Sequence, residues 1–397
     1  MDSLIYLDNA ATTAMKPDVF EAMKPYFLEN YSNPSSVYSF AGQAKKAVED
    51  ARDRIAEAIH AKASSEIYFT GGGSEADNWA IKAAAESGKE KGRHIITTKI
   101  EHHAVLHTVN WLEKNGYDVT YLDVDEDGLI SLEELEKAIR PDTILITIMF
   151  ANNEIGTIEP VKEIGAIAKK HGVLFHTDAV QAVGHIPVDV QEMNIDMLSA
   201  SGHKFHGPKG VGFLYLRNGV KLGAFIHGGA QERSRRAGTH NVPGIVGMGE
   251  ALRLALQDMS VNAAKQVEVR DYLIRRIETE IPYVKVNGHR EKRLPNNVNV
   301  CFRFIEGESL LIMLDQKGIC ASSGSACTSG SLDPSHVLLA IGLIHEIAHG
   351  SLRLTLSEET TKEDADYVAD NLKVIVERLR SMSPLYDDFV KKESEGK

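Results

Sequence analysis

Phe69-Thr70-Gly71-Gly72-Gly73-Ser74-Glu75 reads as a strand end, a glycine turn and a helix start. The same alternation runs outward in both directions. Short β-branched, apolar runs lie at 66–70, 94–99, 119–122, 144–150, 173–177, 197–201 and 211–216. Amphipathic stretches with helical spacing lie at 42–59, 74–87, 105–115, 132–139 and 161–170. Strands that alternate with helices build a mostly parallel sheet covered on both faces, which is the α/β class. From Val242 a long helical stretch runs through Leu252 and Leu256 towards Ile277. Strand-like runs at 284–286 and 297–304 and a helix at 310–315 follow it, as in a smaller α+β domain. The expected division is a large domain of 16–260 and a small one of 1–15 with 261–397. The tail after Pro384 is polar and expected to fray.

Composition narrows the function classes. The 397 residues hold 44 Lys and Arg against 56 Asp and Glu, a net charge of −12. Such a field repels nucleic-acid phosphate and anionic membrane, so neither is an expected partner. Three cysteines cannot frame a disulfide scaffold and fit a reducing compartment, so a cytoplasmic protein is expected. Met1 and Asp2 open the chain without the basic-then-apolar order of a signal peptide. The longest apolar stretch, near 144–151, is interrupted by Thr147 and too short to span a bilayer.

Two motifs invite a metal and are declined. Asp123, Asp125, Asp127, Gly128 and Glu134 match an EF-hand calcium loop, which needs a helix on each side. Here a strand-like run precedes, and Ser131 with Glu134 forms a capping box that starts a helix without metal. His345-Glu346-Ile347-Ala348-His349 has zincin spacing, but Gly350 and a strand-like run follow and no third ligand is placed. No Gly-Lys pair precedes Ser or Thr, so no Walker A loop exists.

A different constellation carries chemistry. The 71–74 turn offers backbone N–H groups and a helix N-terminus to an anion. Asp178 stands at a strand's C-terminal end, where open α/β sheets bind ligands. Lys204 follows the next strand end, with Ser201 and His203 beside it. A lysine, an upstream carboxylate and an anion cradle are what pyridoxal phosphate needs: a Schiff base, a protonated ring nitrogen and a held phosphate. Cys327 sits among Ala, Ser, Gly and Thr at 321–330, a setting for an exposed, mobile thiol that suits a nucleophile. Cys301 and Cys320 lie in apolar surroundings and read as structural.

These residues, in order with the segments at 6–13, 33–36, 101–102, 152–156, 238–239 and 349–353, resemble the cysteine desulfurases of the NifS/IscS type. These belong to the class V aminotransferases, and the likeness spans nearly the whole chain. It implies the fold-type I architecture of pyridoxal-phosphate transferases and conversion of L-cysteine to L-alanine, with sulfur passed to Cys327 as a persulfide. It further implies Lys204 as the cofactor lysine and proton carrier, Asp178 at the ring nitrogen, Gln181 at the ring hydroxyl and His102 over the ring. Gly73, Ser74, Ser201 and His203 would hold the phosphate, with Thr239 from the second subunit of a homodimer. Asn153 would touch cofactor and substrate, and Arg353 with Asn33 would grip the substrate carboxylate. The expected acceptor is an iron–sulfur scaffold or a tRNA-thiolation protein. Whether Cys327 transiently ligates a cluster stays open. A selenocysteine lyase or an aminotransferase would use the same Lys204 and Asp178, and an assembly platform for scaffold proteins is a reading from another class. His103 and Tyr38 depart from the pattern.

Overall fold

Runs of Ile, Val, Leu and Thr between residues 67 and 216 leave little face for water, so the strands they form are buried on both sides except at the edge strand 118–122. In a computed structural model, which describes residues 4–323 and 334–395, the strands are β1 (Ile5–Tyr6), β2 (Ile67–Thr70), β3 (His94–Thr98), β4 (Asp118–Leu122), β5 (Thr143–Thr147) and β6 (Leu174–Asp178). They continue with β7 (Met197–Ser201), β8 (Gly212–Leu216), β9 (Val284–Val286), β10 (Asn297–Phe302), β11 (Ile319–Cys320) and β12 (Ser351–Thr355). Seven make one sheet in the order β2-β8-β7-β6-β5-β3-β4. It is parallel except at β8, which runs antiparallel to β7 and β2. Alternate residues feed two cores: Ile96, Ile146 and Leu198 face one, Ile95, Leu145 and Met197 the other.

Beyond the sheet, the 39-residue helix Val242–Glu280 spans about 58 Å. Its first third packs Ile245, Met248 and Leu252 into the large core. Its last third packs Leu273, Ile274 and Ile277 into a separate core with Ile5, Leu7, β10 and β12. There β12-β10-β9 is an antiparallel sheet, and β1 pairs in parallel with β11. No helix among the described residues is long and apolar enough to cross a membrane.

One expectation fails. The tail after Pro384 is a helix, Pro384–Glu395, not a frayed end. Phe389 lies 4.8 Å from Phe304 and 5.1 Å from Tyr283 between ring centroids. That aromatic contact orders a segment half of whose residues are charged.

The declined motifs fold as read. Asp125 turns its Oδ1 onto its own loop, accepting the N–H of Asp127 at 3.0 Å and Leu129 at 2.9 Å. Ser131 then caps helix Leu132–Ala138. The zincin-like segment is the single turn His345–Ala348, followed at once by β12. Cys301 is buried, and Cys320 is half-buried.

Candidate active site

Parallel strands leave their C-terminal ends on one edge of the sheet, and the loops there meet. Asp178 ends β6, and Lys204 closes a 3-10 turn, Gly202–Lys204, directly after β7. Helix Gly73–Gly88 begins beside them, after the glycine turn. A Cβ on Gly73 would lie 2.6 Å from Val180 Cγ2, and one on Gly212 would lie 2.8 Å from Gly72 Cα. Glycine at these two places lets the turn approach the sheet edge. Between these elements lies a cavity of about 400 Å³, within the range of cofactor sites.

The cavity gathers most of the expected residues: Gly73, Ser74, His102, Asn153, Asp178, Gln181, Ser201, His203, Lys204 and Arg353. A second hollow, lined by Gly71–Gly73, Ser74, Ser201, His203 and Lys209, shares Gly73, Ser74, Ser201 and His203 with it. Asn33 and Thr239 line neither. They share a separate surface hollow with Tyr26 and His240. Asn33 is turned onto its own loop, its Oδ1 accepting the Ser35 N–H at 2.9 Å. The expectation that Asn33 joins Arg353 is therefore not met within one chain. Cys327 lies outside the described residues. Tyr38 is exposed and does not line the cavity.

The N-terminal segment supplies partners that sequence reading missed. Lys204 Nζ donates to the carbonyls of Ala10 at 2.6 Å and Ala11 at 2.9 Å, and Gln181 Nε2 donates to Ala10 at 3.0 Å. Backbone carbonyls carry no side-chain signal, so nothing local in the sequence announces them. Arg353, 2% exposed, donates to Asp8 Oδ1 and to the Asn153 carbonyl, both at 2.9 Å.

Asp77 was also missed, although it stands one helical turn after Gly73 and so faces the same side. A nitrogen of His102 and carboxylate oxygens of Asp77 and Asp178 all lie within 4.8 Å of one another. Burial pushes the Asp178 carboxyl up to about 6. It raises Asp77 well above the usual range, and the charge of Asp178 adds to this. His102 caps helix His103–Lys114, its Nδ1 accepting the Ala104 N–H at 3.1 Å, which puts the ring proton on Nε2. Burial, then the charge of Lys204, hold His102 down to about 4. Burial likewise lowers His203 to about 4. The site thus sets neutral imidazoles beside two buried carboxylates, of which Asp178 feels the charge of Lys204 and is still held high by burial. A protonated pyridine ring and a phosphate supply what those two ends are short of, so the residues fit pyridoxal phosphate.

The sequence matches the aminotransferase class-V family over residues 5–368, and the chain belongs to that family. Within it, a relative from Clostridium botulinum (strain Hall), named cysteine desulfurase IscS, is 58% identical over 397 residues, covering 100% of both chains. A solved structure called NifS-like protein superposes with a TM-score of 0.89 at 40% identity, covering 95% of this chain and 100% of that one. Another, SspA in complex with cysteine, gives a TM-score of 0.79 at 40% identity, over 90% and 100% of the two chains. The fold-type I α/β architecture stands.

Proposed function

We propose that the chain is a pyridoxal-phosphate-dependent cysteine desulfurase that converts L-cysteine to L-alanine and supplies sulfur for iron–sulfur cluster assembly. The observation that carries this reading is the meeting of Lys204, Asp178 and the glycine cradle in one cavity. The relative bound to cysteine supports the substrate.

Pyridoxal phosphate, when bound, supplies an electron sink for the carbons next to the substrate amine. Lys204 would hold its aldehyde carbon, and Asp178 would keep its ring nitrogen protonated. Beside that cation Asp178 regains its charge, which relieves the cost of its burial. Gln181 would serve the ring hydroxyl, and His102 would lie along the ring. Gly73, Ser74, Ser201 and His203 would take the phosphate, together with Thr239 of a second copy. Asn153, Arg353 and Asn33 would take the substrate carboxylate, Asn33 also from the second copy.

Lys204 accepts and returns the α-proton. Its two carbonyl partners, Ala10 and Ala11, fix the amine at the cavity floor. The Cys327 thiolate then attacks the substrate sulfur. An S–S bond forms, the C–S bond breaks, and its electron pair stays with the carbon skeleton, which takes up a proton as alanine. The sulfur then passes to a scaffold or tRNA-thiolation protein.

Residues 16–260 would form the cofactor body, and 1–15 with 261–397 the smaller unit, in a cytoplasmic homodimer. Purified protein with reductant should release alanine and sulfide from L-cysteine in equal amounts. Cys327→Ser should abolish sulfide release, and Lys204→Ala should lose the Schiff-base absorbance. Sulfide at the parent rate from Cys327→Ser would overturn the assigned nucleophile.

A further inference from the structure

His103 opens its helix at the cavity wall, and its ring is clamped between two others. The centroid of His107, one turn on, is 5.1 Å away with the planes at 30°. That of His336 is 4.9 Å away. His336 is itself anchored, its Nε2 2.9 Å from the Glu101 carbonyl. Packing thus fixes the ring of His103 without spending its polar atoms. Both of its nitrogens are buried and have no hydrogen-bond partner among the described residues. Folded proteins leave few such groups, because an unpaired buried donor or acceptor is costly.

Three other polar groups on the wall have partners. Gln181 meets Ala10, Arg353 meets Asp8, and His203 meets Thr12. Asp77 keeps one oxygen unpaired, but that atom lies 3.6 Å from His176, at the Asp178 end. Burial and the neighbouring imidazoles hold His103 down to about 4, so its ring is neutral at ordinary pH, with one donor and one acceptor nitrogen. L-Cysteine brings three polar groups. Lys204 serves the amino end and Arg353 the carboxylate, which leaves the thiol.

We propose that His103, positioned by His336 and His107, binds the side-chain sulfur of the substrate through a hydrogen bond between imidazole and thiol. This rests on the desulfurase reading and deepens it by naming the group that recognises the thiol. His103→Phe keeps a flat ring for His107 and His336 to hold but removes both nitrogens. With holoenzyme, this variant should raise KM for L-cysteine roughly three- to tenfold and leave kcat within about twofold. L-Alanine, which has no sulfur, should bind it as it binds the parent, read from the cofactor absorbance. His103→Gln, which keeps a donor and an acceptor, should recover most of the KM change and serves as the test where Phe disturbs folding. An unchanged KM for L-cysteine overturns the proposal. So does an equal weakening of alanine binding, which marks a structural role. Parent holoenzyme that makes no alanine from L-cysteine fails on the desulfurase reading itself.

Discussion

Glu159 is 3% exposed, with one carboxylate oxygen accepting the Ile130 N–H at 3.2 Å and the other without a partner. Burial pushes its carboxyl up to about 8. A carboxyl whose folded value lies above its unfolded one gives stability that is complete below about 4.5 and is lost as pH rises through about 8. Glu159→Gln cannot ionise and escapes that loss. It should be about 1–3 kcal/mol more stable than the parent at pH 8.5 and equal to it near pH 5, read from urea midpoints. Equal differences at both pH values would show that Glu159 is charged in the fold. The buried imidazoles act with the opposite sign. His102, His103 and His203 are lowered to about 4 and His176 to about 3, so their contribution is lost as pH falls below about 6.5. Comparing variant with parent cancels them. At this scale the sequence told part of the story. Lys204 and Asp178 were legible because strand ends point their residues into the crevice. Glu159 was not, since its one partner, the Ile130 N–H, comes from another loop.

The helix Pro384–Glu395 owes its order to a neighbour as well. Phe389 packs edge-on against Tyr283 and tilted against Phe304, with the Arg303 guanidinium 5.6 Å from its centroid. Phe389→Ala should lower the local opening free energy of residues 384–395 by about 1–2 kcal/mol. Hydrogen exchange would report faster amides there, and turnover of L-cysteine should not change. Protection at parent levels would mean that the helix stands on its own propensity. The sequence hid this element because Lys391, Lys392 and Glu393 dominate the window, while Tyr283 and Phe304 lie far back in the chain. Strands within the large sheet were legible because their apolar runs are self-contained. Edges shifted by a residue or two where a neighbour took over: Glu66 sits in a 3-10 turn, held there while its carboxylate accepts the Lys62 and Asn218 N–H groups. Asn33 belongs to the same lesson. A motif gives a residue's company in sequence, and the fold of one chain gave Asn33 a surface hollow, beside the Thr239 expected to serve a second copy.

At the scale of the whole molecule, one helix joins two cores. Along Val242–Glu280 the last residue buried in the large core is Leu252, and the next buried one is Gln266. Between them the helix bridges without packing deeply on either core, and Asp258 there is exposed. The cavity needs both sides: Lys204 and Asp178 come from the large sheet, and Arg353 comes from β12. Their relative placement therefore leans on that bridge and on the bond from Arg353 to the Asn153 carbonyl. Proline at 258 removes one backbone hydrogen bond and clashes with the preceding turn, at a cost of about 3 kcal/mol in a helix interior. Asp258→Pro should leave each core folded while loosening one against the other. Calorimetry should then resolve two transitions where the parent should show one, and KM for L-cysteine should rise more than kcat falls, because Arg353 and Lys204, proposed to take the carboxylate and amine ends of the substrate, stand on different cores. A single transition with parent KM would show that contacts outside the helix, those of Asn297, Asn299 and Arg353 with the backbone of 153–154 foremost, hold the two cores in register.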